Sequence, residues 1–142
     1  MNLLSGVNSS AAALDAEKMR MDIISQNIAN AQTSRGPDGE PYKRKEVVFE
    51  SLLRQRHGMG KDDLMGQPLL KVARIQEDKT PPRLVHIPGH PDADENGMVK
   101  MPDINIHREM VDMISSSRAY EANLSVVKTA RSMALKTMEM GK

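Results

Sequence analysis

Apolar residues at the start of the chain recur in alternating steps of three and four. They fall at Leu4, Val7, Ala11, Leu14, Met21 and Ile28, with polar gaps at Lys18 and Ser25, and a second stripe passes through Ile24 and Ala31. This heptad spacing predicts an amphipathic helix or the seam of a coiled coil. No Pro or Gly interrupts it from Val7 to Arg35, and Asn30 or the pair Thr33-Ser34 ends it before the punctuating stretch RGPDGEPY. The far end of the chain repeats the pattern through Met113, Ser117, Tyr120, Leu124, Val127, Arg131, Ala134 and Met138. Asp103 or Asn105 can cap this second helix. Glu109 sits in its first turn, where the dipole favours an anion, and Gly141 follows its last apolar position.

Between the helices the period changes. KEVVFESLL, LLKVARIQE, RLVHI and GMVKM read as short strands, and DKTPPR and IPGHPDADENG as turns joining them. RQRHGMGKDDLMGQP is a polar, Gly-rich loop. The expected fold is therefore mainly α with a small β-rich insert, the N- and C-terminal helices pairing as a coiled coil with the β unit between them. The expected organisation is an N-terminal helix over 1–35, a β-rich insert over 36–104 with a flexible loop near 54–68, and a C-terminal helix over 105–142. The two helices pack as one domain.

Composition points to a core that is lean for 142 residues. Only 39% of the chain is hydrophobic and its aromatics are Tyr42, Tyr120 and Phe49, with twelve Met partly replacing them. Aromatic side chains normally supply much of a core's buried area, and Met packs adaptably but specifies shape poorly. Such a chain is expected to rely on partner subunits to complete its burial. Twenty basic residues balance nineteen acidic ones, so no field favours nucleic acid or an anionic membrane. The absence of Cys excludes disulfides, thiolate chemistry and cysteine zinc sites. No apolar run approaches the roughly 20 residues of a membrane span. The first residues lack the early basic charge and long apolar stretch of a secretory signal. Export, if it occurs, is expected by another route.

One stretch imitates a metal site. In HPDADENGMV, Asp92, Asp94, Asn96 and Gly97 occupy the first, third, fifth and sixth positions of a calcium loop. The twelfth position is then Asp103, shorter than the Glu such loops use, and Pro102 stands where the exiting helix should begin. Pro88, Gly89 and Pro91 oppose an entering helix. The competing reading is a turn, since Asn-Gly is a hairpin signal and Asp side chains stabilise turns locally. A small calcium-binding module using 92–103 stands as the alternative function. His86 and His90 are separated by Pro-Gly and read as solvated loop residues. The Met residues of the last helix read as packing rather than a groove. No G-x-S-x-G elbow and no glycine-rich phosphate loop is present, so neither catalysis nor a cofactor is expected.

MDIISQNIANAQT, residues 21–33, resembles the N-terminal signature of the bacterial flagellar rod, hook and related axial proteins. Ile23, Ile24 and Ser25 are followed by Asn27, Ile28, Ala29 and Asn30, with Thr33 shortly after. EMVDMISSSRAYEANLSVVKTARSMALKTMEMGK, residues 109–142, resembles the C-terminal helix of that family. PYKRKEVVFE and PGHPDADENGMVKMPDIN resemble the middle segment of its basal-body rod members. Gln26 and Gln32 stand where the family pattern has smaller residues, and 54–68 matches nothing in it. The resemblance implies a structural subunit of the proximal rod that carries torque from motor to hook. Its terminal helices would form the inner layer of a helical tube. Its partners would be copies of itself, other rod proteins and the flagellar type III export apparatus. It would be a periplasmic rod component exported without a cleaved signal peptide. On that reading the subunit interface comprises Leu4, Val7, Leu14, Met21, Ile24 and Ile28 in front, with Met113, Tyr120, Leu124, Val127 and Met138 behind. The Asn27 and Asn30 amides are expected to satisfy buried backbone groups where the first helix ends.

Overall fold

The computed structural model describes residues 3–52 and 69–141, with side chains described for 6–50 and 74–141. The side chain of Leu4 and the loop at 54–68 therefore lie outside the described residues. Helix α1 spans Leu3–Ala29 and helix α2 spans Ile106–Met140. Among the described residues four strands lie between them: β1 Lys45–Leu52, β2 Leu69–Glu77, β3 Arg83–His86 and β4 Met98–Met101. The architecture is mainly α with a small β region, and α1 packs along α2.

The helix ends follow local chemistry. Asn105 is the N-cap of α2: its backbone is extended at φ −90° and ψ 102°, and its side-chain oxygen accepts the Arg108 N–H. Asp103 is left outside. Gly141 ends the helix at φ −90°, so the stop does not use the left-handed conformation for which glycine is favoured there. At about 1.5 Å per residue, α1 is roughly 40 Å long and α2 roughly 52 Å.

The strands form two separate antiparallel pairs. β1 pairs with β2 from Lys45 opposite Glu77 to Leu52 opposite Leu69. The register slips between Val48, opposite Arg74, and Phe49, opposite Val72, which makes Ala73 the extra residue of a bulge. β3 pairs with β4 from Arg83 opposite Met101 to His86 opposite Met98. A two-stranded ribbon is marginal alone and needs a surface to lie on; α1 supplies it, packing against both β1 and β2.

Among the described residues the buried hydrophobic side chains are Ala16, Ile23, Ile24 and Val99. The deepest side of α1 carries Ala16, Ile23 and Asn27. At about 100° per residue, Val7, Leu14, Met21 and Ile28 stand roughly 120–180° around the helix from Ala16; all four are half-buried. The regular heptad stripe and the most buried side of α1 are therefore different faces. The buried one is harder to read because a small residue and an amide hold two of its places.

Candidate functional site

Three elements meet at Asn27, near the C-terminal end of α1, and almost every polar atom there is matched. The Asn27 Nδ2 donates to the Lys45 carbonyl at 2.8 Å, and its Oδ1 accepts the Lys45 N–H at 2.9 Å. The side chain thus treats the first residue of β1 as a neighbouring strand would. Nδ2 also donates to Glu109 Oε2 on α2 at 3.0 Å, and the Tyr42 hydroxyl donates to Oδ1 at 3.1 Å. The other Glu109 oxygen accepts from Arg44 Nε at 2.8 Å. Asn27 and Glu109 are each only 1% exposed. Burying a carboxyl group that deep is costly unless a cation and hydrogen-bond donors surround it, and Arg44 and Asn27 supply both.

The electrostatics agree with this arrangement. Burial by itself would lower the Arg44 guanidinium, but the hydrogen bond and charge of Glu109, helped by Glu46 and Asp78, outweigh it and hold Arg44 above its ordinary value. Burial, then the nearby carboxylates of Glu77 and Glu109, raise the Tyr42 phenol. Lys45 Nζ stands 5.8 Å from the Tyr42 ring centroid, within reach of a cation–π contact. The Asn27 amide therefore satisfies half-buried backbone groups in β1 rather than groups at the end of its own helix. Asn30 acts locally instead, donating to the Gln26 carbonyl at 2.9 Å and accepting from Thr33 Oγ1 at 3.3 Å.

The acidic turn is built from internal bonds. Asp94 Oδ1 accepts the Asn96 and Met98 backbone N–H groups at 2.9 and 2.8 Å. The Gly97 N–H returns to the Asp94 carbonyl and the Asp94 N–H to the Met98 carbonyl, both at 2.9 Å. Gly97 takes φ +72°, where a Cβ would stand 3.1 Å from His86 Cε1. Asn96 stays at negative φ, so the loop is a turn closed by a left-handed glycine rather than the two-residue Asn-Gly hairpin. Asp92 Oδ2 accepts from Ser34 Oγ at 2.8 Å and Oδ1 stands 3.5 Å from Arg35. His90 Nδ1 accepts the Asp92 N–H at 3.1 Å. The turn is thus fastened to the segment leaving α1. The stretch is flanked by β3 and β4 rather than by two helices, and both Asp92 oxygens and Asp94 Oδ1 are already engaged, so the calcium alternative has no structural support.

The remaining sequence-predicted positions are distributed along the α1–α2 helix pair. Ile24 is buried within the chain. Met113, Tyr120, Leu124 and Val127 are half-buried on the side of α2 that carries the buried Glu109 and Ser116. Met138, five turns beyond Tyr120 and in line with it, is 65% exposed. Of the motif residues, Asn27 is buried, Ile28 and Asn30 are half-buried and Ala29 is exposed. Glu109, Arg44 and Tyr42 were not singled out by sequence as members of one site. A groove of about 590 Å³ beside them is lined by Tyr42, Arg44, Pro81, Pro82 and Lys100 among others; in it Lys43 bonds Glu40 at 2.7 Å and Asp78 accepts from Thr80.

Residues 95–140 match the family model for the C-terminal region of flagellar basal body rod FlgEFG proteins. The chain is 43% identical to the flagellar basal-body rod protein FlgC of Borreliella burgdorferi, over 94% of this chain and 93% of that one. It is 41% identical to FlgC of Salmonella typhimurium over 99% of both chains. It is 37% identical to FlgC of Bacillus subtilis over the full length of both. With that similarity running through both helices and the β region, the chain belongs to the FlgC family of flagellar basal-body rod proteins and is a structural component of the flagellar basal body.

Proposed function

We propose that the chain is a subunit of the proximal rod, assembling helically through its terminal helices and carrying torque from motor to hook. The observation that carries this reading is the last stretch of α2. With Asn27 beside Glu109, α2 runs about seven residues, some 10 Å, past the level of Leu3. Arg131 to Met140 are exposed throughout, Leu135, Met138 and Met140 among them. Met110, Val111, Ile114, Val126 and Met133 are also at least half exposed. Apolar surface on this scale marks a contact site, and contacts that do not close on themselves build helical assemblies.

In this reading the two terminal helices form one domain, 1–35 with 105–142, and the insert over 36–104 stands outside it. Leu4, Val7, Leu14, Met21 and Ile28 join Met138 in contacts with neighbours. Ile24, Met113, Tyr120, Leu124 and Val127 shape the hairpin that presents them. Copies of the chain and other rod proteins are the neighbours. The route to the periplasmic rod is the flagellar type III apparatus, without a cleaved signal. A deletion strain tests the proposal: the intact chain restores rods and swimming, whereas a strain that swims normally without it contradicts the proposal.

A further inference from the structure

We infer that the Asn27–Glu109–Arg44 node is a positioning device that fixes the pose of the β1–β2 ribbon on the helical hairpin, rather than a source of the fold's stability. Three observations lead there. At the node α1, α2 and the start of β1 are joined by side-chain bonds: Asn27 to Lys45, Asn27 to Glu109, and Glu109 to Arg44. It is polar and charged where the few buried apolar side chains around it, Ile23 and Ile24, could have been extended by more of their kind. Its bonds are also directional in a way that apolar packing is not. Asn27 reads both backbone groups of one residue, so a slip of β1 by one position turns the ladder over and leaves the amide, the carboxylate and the strand unsatisfied together.

Buried ion pairs contribute little net stability compared with apolar replacements of the same volume, yet removing one partner is strongly destabilising. Their best-attested use is to select one register or arrangement among several. The surroundings here suit that use. The ribbon has two strands, carries a bulge at Ala73, and rests on a helix whose other faces are only half-buried. Apolar contact of that kind tolerates sliding and tilting, and the node does not. The groups facing Glu109 are Asn27 from α1 and Arg44 from the segment entering β1, with Arg20, Glu46 and Asp112 around the adjoining cavity of about 170 Å³.

The chain has no Cys, so a pair of spin labels can be placed without side reactions, at Arg118 on the exposed side of α2 and Gln76 on β2. In the otherwise natural chain the label-to-label distance is expected as a single narrow distribution. Replacing both charges, Glu109→Met with Arg44→Met, is expected to keep the helical signal and a melting midpoint at or above that of the natural chain, while the distribution broadens or splits. Glu109→Gln alone is expected to lower the midpoint and broaden the distribution. A double variant that keeps the narrow natural distribution overturns the inference. So does one whose helices melt together with the ribbon at a markedly lower temperature, because the node is then a stability element. The use of this pose by neighbouring subunits rests on the rod-subunit reading, but the distance measurement on the isolated chain does not, so either can fail alone.

Discussion

Asn27 holds Lys45 by both of its backbone polar groups, donating to the carbonyl at 2.8 Å and accepting the N–H at 2.9 Å, across a separation of 18 residues. Replacing it tests the site with little change of volume. Asn27→Ala leaves the Lys45 groups and Glu109 short of partners, at about 1–3 kcal/mol for each buried group unsatisfied. Asn27→Asp is near-isosteric but cannot donate to the carbonyl and sets a second carboxylate against Glu109. Thermal unfolding followed by circular dichroism should show both variants well below the natural chain at neutral pH, and an Asn27→Asp chain as stable as the natural one refutes the geometry.

Tyr42 should give the stability an alkaline limb. Its phenol is held above the usual value of 10.0, first by burial and then by Glu77 and Glu109. A group whose folded pKa is raised contributes stability that is fully present below the unfolded value and is lost as pH rises through the folded one. Stability should therefore fall above about pH 10. Denaturant melts across that range should show the extra loss in the natural chain and a shallower one in Tyr42→Phe.

Asp92 should matter as a tether rather than as a ligand. Its carboxylate takes Ser34 Oγ and faces Arg35. Calorimetric titration with calcium is expected to give no micromolar binding. Asp92→Ala is expected to speed amide exchange around residues 87–97 without altering the helices. Micromolar heats abolished by the same substitution would restore the calcium reading.

Met138 separates folding from assembly. At 65% exposed it should tolerate Asp within about 0.5 kcal/mol of monomer stability, as surface positions generally do. The same Met138→Asp chain should fail to support rods when it replaces the natural one in a swimming assay.

What could be read from the sequence follows the range of the interactions involved. Both helices, all four strands and the Asn105 cap are set by spacing and turn residues within a few positions of one another. LLKVARIQE is β2 from end to end. The family signature was equally legible because it is a local string. The buried side of α1 was not, since Ala16 and Asn27 do not register as apolar while Leu14, Met21 and Ile28 do. Glu109 read as a first-turn acid favoured by the helix dipole. Its partners Arg44 and Asn27 lie 65 and 82 residues away, and nothing periodic connects them. The one usable signal was the amide that opens the motif Asn27-Ile28-Ala29-Asn30, whose partners become visible only when β1 is folded back onto α1. The Asn-Gly pair marked a turn correctly but not its type, because Asp94 takes two N–H groups and moves the left-handed residue to Gly97 alone.

The most direct test of the central claim is electron microscopy of purified basal bodies from cells whose only copy of this chain carries a compact tag within residues 54–68. Added density on the proximal rod, at a regular helical spacing, is the predicted result. Basal bodies that lack the chain, or tag density located away from the rod, would contradict the account.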